Sequence, residues 1–134
     1  MGDRANVAIQ DEDGGRVYFY THWSGHDLPE IMRAGLVKAK EAKRLDDAPY
    51  LARILLDTLT GRKDATTGVG ISACVQDNEY RRPLMVINVG TQSVTAAAEG
   101  LCELAGEPAI FSFESYIALP EATWETLDPG RAAR

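Results

Sequence analysis

The two histidines of the chain, His22 and His26, fall four residues apart in Thr21-His22-Trp23-Ser24-Gly25-His26-Asp27-Leu28-Pro29-Glu30. An imidazole titrates near neutrality, so it can serve as a general base or a metal ligand. A spacing of four is a metal-ligand spacing when both histidines lie on one helix. Here Ser24-Gly25 breaks the chain between them and no third ligand accompanies them, so no metal site is expected. A hydrolase would use His22 as base, with Asp46 or Asp47 fixing its tautomer. Ser24 has no nucleophile-elbow context and Cys74 reads as core, so no nucleophile is marked and no catalytic residue is assigned. A purely structural role also accounts for His22 and Trp23, which would then cover the junction between a strand and a helix, the imidazole bonded to the helix cap.

Binding is the third chemistry these residues permit. In the run Arg16 to Trp23, strand periodicity turns Val17, Phe19 and Thr21 one way and Tyr18, Tyr20 and His22 the other. Tyr18, Tyr20, His22 and Trp23 would stack a flat ring, while Arg53, Thr66, Thr67 and Ser72 would meet phosphates or hydroxyls. That mixture of apolar surface and a few polar groups suits a small-molecule pocket. It requires the start of the second helix, the Thr-Gly loop and the His-Trp corner to converge. The loop itself, Gly61-Arg-Lys-Asp-Ala-Thr-Thr-Gly-Val-Gly70, lacks the Walker order and reads as a helix-to-strand connection. No cofactor is expected.

The elements that must position these residues follow from pattern. Ala5 to Gln10 and Arg16 to Trp23 form a hairpin around Asp11-Glu12-Asp13-Gly14-Gly15. A helix is predicted from Leu28, capped by Asp27 with Glu30 completing a capping box, and its buried stripe is Leu28, Ile31, Met32, Gly35, Leu36 and Ala39. Arg33, Lys38, Lys40, Lys43 and Arg44 form its solvated side, an anion-attracting surface being the sharper alternative. Asp46 or Asp47 caps a second helix whose apolar face is Tyr50, Leu51, Ile54, Leu55 and Leu59, ending at Gly61; Arg53 sits at the edge of that face. The short connection predicts an αα-hairpin. Strands follow at Gly70 to Val75, Leu84 to Val89 and Ser93 to Ala97, the second apolar throughout and therefore central. Ala109 to Phe111 reads as extended, and Ser112 caps a short helix through Leu119 with Phe113, Tyr116 and Ile117 inward. Residues 120–134 read as a mobile tail in which Trp124 either docks on the domain or touches a partner.

The expected fold is α+β: a mostly antiparallel sheet made of the N-terminal hairpin and three or four later strands, with helices on one face, as a single domain over residues 1–119. An apolar second sheet face would favour a homo-oligomer. The 134 residues carry a net charge of −6, which opposes nucleic-acid binding through phosphate neutralisation. Cys74 and Cys102 show no CxxC spacing and read as buried free thiols of a reducing compartment. No run is apolar over a bilayer's thickness and Met-Gly-Asp-Arg is no signal peptide, so the expected location is cytoplasmic.

Four segments carry a resemblance covering roughly residues 5–95: Thr21-His22-Trp23-Ser24-Gly25 with Leu28-Pro29-Glu30; Asp46-Asp47 with Tyr50-Leu51-Ala52-Arg53-Ile54; Thr67-Gly68-Val69-Gly70-Ile71-Ser72; and Asp77-Asn78-Glu79. In these the chain resembles a group of small proteins encoded by phages and their bacterial hosts. The resemblance implies a genomic setting and no chemistry. The resulting expectation is a noncatalytic accessory protein, suited to counter-defence, that holds a nucleotide-derived molecule or a host protein. The alternatives are a His/Asp hydrolase and an interaction protein without a ligand.

Overall fold

Alternating apolar residues in two neighbouring stretches build the first pair of strands. β1 (Ala5–Gln10) and β2 (Arg16–Thr21) pair antiparallel, Val7 opposite Phe19 and Ile9 opposite Val17. These are seen in a computed structural model that describes residues 2–61 and 66–133. β3 (Val69–Ser72) adds to β2, while β4 (Leu84–Asn88), β5 (Ser93–Ala97) and β6 (Phe111–Ser112) continue from β1, giving the order β3-β2-β1-β4-β5-β6. Every neighbouring pair is antiparallel except the central one, β1 with β4, where Val7 lies beside Met85 and Ile9 beside Ile87. Parallel neighbours need a long crossover. The hairpin's second strand, both long helices and β3 supply it. The α+β class, the mostly antiparallel sheet, the N-terminal hairpin and the αα pair are therefore as the sequence indicates.

α1 (Leu28–Glu41) and α2 (Ala48–Thr60) cover one sheet face. Met32, Leu36, Leu51 and Leu55 meet Val7, Phe19, Met85 and Ile87 there, all of them buried. Gly35 lets the two helices approach, since a Cβ there would stand 2.6 Å from Leu55 Cδ2. Gly61, with φ 54°, ends α2 in the left-handed conformation that glycine adopts without steric cost. Of the 61–70 connection, residues 62–65 lie outside the described part.

Several local expectations change. Asp27 stands at the N-cap, but its side chain accepts no capping bond. Glu30 does not reach back to it, because its carboxylate is held elsewhere: Arg33 Nε donates to Oε1 and Nη2 to Oε2, both at 2.8 Å, and the Ala122 N–H donates to Oε1 at 3.0 Å. Asp47 likewise occupies the second N-cap with no capping bond, its carboxylate meeting Arg44 instead. Tyr50 leaves the apolar face of α2 and lies exposed under the Arg44 guanidinium. β3 stops at Ser72, three residues short of Val75, so Cys74 is an exposed thiol rather than part of the core; Cys102 is buried.

The charge-assisted pair at Glu30 carries a pH prediction. Bonding to Arg33, ahead of the accepted Ala122 N–H, holds the Glu30 carboxyl below its ordinary value of 4.5. A lowered folded pKa means stability that is complete above the ordinary value and lost as pH falls through the lowered one. For this partly exposed pair we expect about 0.5–1 kcal/mol at neutral pH. Glu30→Gln should lose that amount at pH 7 and show a flatter decline in Tm between pH 5 and 3 (roughly the carboxylate range). Parallel wild-type and variant melting curves over that range would count against the pairing.

The stretch beyond Leu119 is packed. Ser112 caps α3 (Phe113–Ile117) by accepting the Ser115 N–H, and Phe113 and Tyr116 are buried. α4 (Trp124–Leu127) follows, started by a reciprocal Thr123–Thr126 capping box, then a 3₁₀ turn over Pro129–Ala133. Trp124 and Leu127 join the main core. Asp128, 0% exposed, accepts the N–H groups of Ala105 and Gly106 at 2.5 and 3.1 Å. The boundary expected after Leu119 therefore does not separate packed chain from tail, and Trp124 takes the docked alternative.

Candidate functional site

The sheet face opposite the helices carries Asn6 and Ala8 from β1, Tyr18 and Tyr20 from β2, and Leu84 and Val86 from β4. Two loops cover much of it. Cys102 and Val75 pack on Ala8, Tyr18, Leu84 and Val86 to form a second small core. The apolar second face that motivated a homo-oligomer is thus largely occupied by the chain itself. Tyr18 belongs to this core: it is buried, its hydroxyl donates to Glu99 at 2.8 Å, and Arg16 binds the same carboxylate.

The loop after β3 is strapped down by a side chain acting as backbone. Asn6, fully buried, donates from Nδ2 to the Gln76 carbonyl at 2.8 Å and accepts the Gln76 N–H on Oδ1 at 2.9 Å. Ser72 Oγ accepts the Cys74 N–H and a Gln76 side-chain N–H. Asn78, also buried, accepts the Arg82 N–H at 2.7 Å and donates to the Cys102 sulfur. Between this strap and the sheet lies an open cavity of about 390 Å³, lined by Arg4, Tyr20, Cys74, Val75, Gln76 and Asp77. Its size falls within the range of small-ligand sites.

His22 continues the alternation of β2 and stands at one end of this surface. Its Nδ1 is 2.9 Å from the Tyr20 hydroxyl and receives the Arg4 Nε–H at 3.3 Å. A guanidinium only donates, so Nδ1 carries a lone pair and the neutral ring carries its proton on Nε2. Nε2 in turn faces Gly2, where a Cβ would stand 2.8 Å away. Trp23 packs edgewise on His22, centroids 4.1 Å apart, and covers Gly68; it remains 52% exposed. The Gly68 carbonyl accepts the His22 N–H. The Thr-Gly loop and the His-Trp corner therefore meet, with Thr66 and Thr67 exposed on the loop side.

Arg53 does not join them. It is on α2, across the sheet, 73% exposed at its side chain and paired with Asp57. The hydrolase set is not assembled either. Asp46 and Asp47 follow the far end of α1, whose fourteen residues separate them from the corner by about 20 Å at 1.5 Å per residue. The tautomer of His22 is set by Arg4 and Tyr20 instead. Among the described residues, no group of three or more His, Cys, Asp or Glu side chains could hold a metal ion, and no helix is long and apolar enough to cross a membrane.

Arg4, Cys74, Val75, Gln76 and Asp77 escaped the sequence reading. The one signal for them was Asn6, a polar residue inside an otherwise apolar strand, which needs a partner when buried. No family model, no curated protein and no solved structure matches the chain.

Proposed function

We propose that this is a noncatalytic binding protein that holds a small nucleotide-derived ligand on the strapped sheet face, an accessory role suited to counter-defence in the phage-type genomic setting that its resemblance implies. The observation that carries the reading is the meeting of an aromatic edge with a cavity. Tyr20 lines the cavity, His22 fixes Tyr20 and Trp23 on either side, and Arg4 adds a cation at the same wall. A flat ring gains contact area from the aromatic groups, and a guanidinium meets phosphate or carbonyl oxygens.

Isothermal titration calorimetry against cyclic nucleotides, ADP-ribose derivatives and mononucleotides tests this. Tyr20→Ala should weaken binding about threefold to tenfold, the loss expected of one aromatic contact, because Tyr20 is the aromatic side chain that lines the cavity. Silence across the whole panel sinks the ligand reading and leaves a host protein as the partner to seek.

A further inference from the structure

The cavity wall holds a donor and an acceptor facing the same space, and that pairing selects among bases. It rests on the nucleotide reading above. Arg4 and Asp77 both line the cavity, together with the Tyr20 ring. Arg4 presents N–H groups only; its nearest described partners are His22 Nδ1 at 3.3 Å and Glu79 Oε2 at 3.8 Å. An ionised Asp77 presents acceptor oxygens only. Among the described residues Asp77 makes no hydrogen bond and no ion pair, although the backbone on both sides of it is held. Gln76 is clamped by Asn6, and Asn78 is anchored to Arg82 and Cys102. An unpartnered carboxylate on a fixed backbone, beside a guanidinium and an aromatic ring, asks for a flat heterocycle that donates N–H from one edge and accepts on another.

We infer that the cavity takes a guanine-type base. Its ring N1–H and exocyclic amine would donate to Asp77, while O6 and N7 would accept from Arg4, the donor geometry by which arginine reads guanine elsewhere. Adenine fits less well, since it turns the N1 lone pair toward the carboxylate and has no O6 for the guanidinium. The pyrimidines have no N7 and so cannot offer Arg4 the paired O6 and N7 acceptors.

Titration of the full chain with GMP, AMP, CMP and UMP, repeated on Asp77→Asn, decides it. GMP should bind about tenfold or more tightly than AMP, the discrimination expected of one good paired contact. Asp77→Asn should reduce GMP affinity by a similar factor and shrink the GMP preference, with an unchanged melting temperature, because Asp77 is exposed and makes no hydrogen bond or ion pair among the described residues. AMP binding as tightly as GMP, or unchanged GMP affinity in Asp77→Asn, overturns the guanine assignment while leaving a nucleotide site standing. No response to any of the four, or to cyclic nucleotides and ADP-ribose, overturns both.

Discussion

Trp124→Ala is expected to lower the unfolding free energy by about 3–5 kcal/mol, the range for removing a large aromatic side chain from a core. The indole is 4% exposed and lies in the main cluster beside Leu127, Phe113 and Tyr116. Its Nε1–H donates to the Gly25 carbonyl at 2.8 Å. Two losses therefore combine: a cavity in the main cluster, and the shorter of the two hydrogen bonds that the Gly25 carbonyl accepts, the other coming from the Leu28 N–H at 3.3 Å. Trp124→Phe separates them in large part, since it keeps most of the volume and loses the bond, for about 1–2 kcal/mol. Urea unfolding followed by circular dichroism measures both. A Trp124→Ala midpoint equal to wild type would mean that the segment after Leu119 is not part of the cooperative unit.

How far the sequence reveals this molecule depends on how local each cause is. Period-two alternation in Ala5–Gln10 and Arg16–Thr21, and the helical stripe from Leu28 to Ala39, are set by neighbours in the chain, and they form as their patterns indicate. The continuous apolar run Leu84–Ile87 correctly implied a central strand buried on both faces. What it could not show was its parallel neighbour, because register across a long crossover is chosen by packing rather than by local pattern. The capping box failed for a similar reason. Glu30 had the right spacing to Asp27, but Arg33, three residues on, and the Ala122 N–H, contributed from far along the chain, offer its carboxylate three bonds in another direction. The C-terminal segment was misread because its apolar anchors, Ala122, Trp124 and Leu127, are sparse among polar residues and gain meaning only where they land. At the site, Tyr20, His22 and Trp23 were legible from alternation and position. The strap facing them was not, since Asn6 gives no hint of which of the later polar loops it will clamp.

The corner from Thr21 to Glu30 has thus changed character, from a candidate catalytic patch to the junction where both ends of the chain are tied down. The N-terminal segment bonds to it through Asp3 N–H to the His22 carbonyl at 2.6 Å, and through the Gly25 N–H to the Asp3 carbonyl at 2.7 Å. From the other end come Trp124 on the Gly25 carbonyl and the Tyr116 hydroxyl on the Pro29 carbonyl, both at 2.8 Å. Thr21 closes the turn by accepting the Ser24 N–H. A residue that touches both ends is a sensitive place to probe.

Gly25→Ala is expected to cost about 2–3 kcal/mol, as overpacking of a filled site does. A Cβ on Gly25 would stand 2.6 Å from the Asp3 carbonyl oxygen, 2.8 Å from the Arg4 carbonyl oxygen and 2.6 Å from Arg82 Nη1. Arg82 is the only one of the three that can swing away, and doing so breaks its ion pair with Asp3 and its bond to the Arg4 carbonyl. The two carbonyls can retreat only if the segment before β1 lifts from the corner, which would carry Arg4 away from His22. Stability and binding should therefore fall together in Gly25→Ala. Arg82→Ala provides the control: if the guanidinium were the sole obstacle, adding Gly25→Ala to it would cost nothing further. Two backbone oxygens at less than 3 Å predict that most of the penalty persists. Hydrogen exchange at the Asp3 and Gly25 amides gives the local readout, with faster exchange at both expected in Gly25→Ala. Unchanged protection and an unchanged urea midpoint would show that residues 2–4 are not seated on the corner.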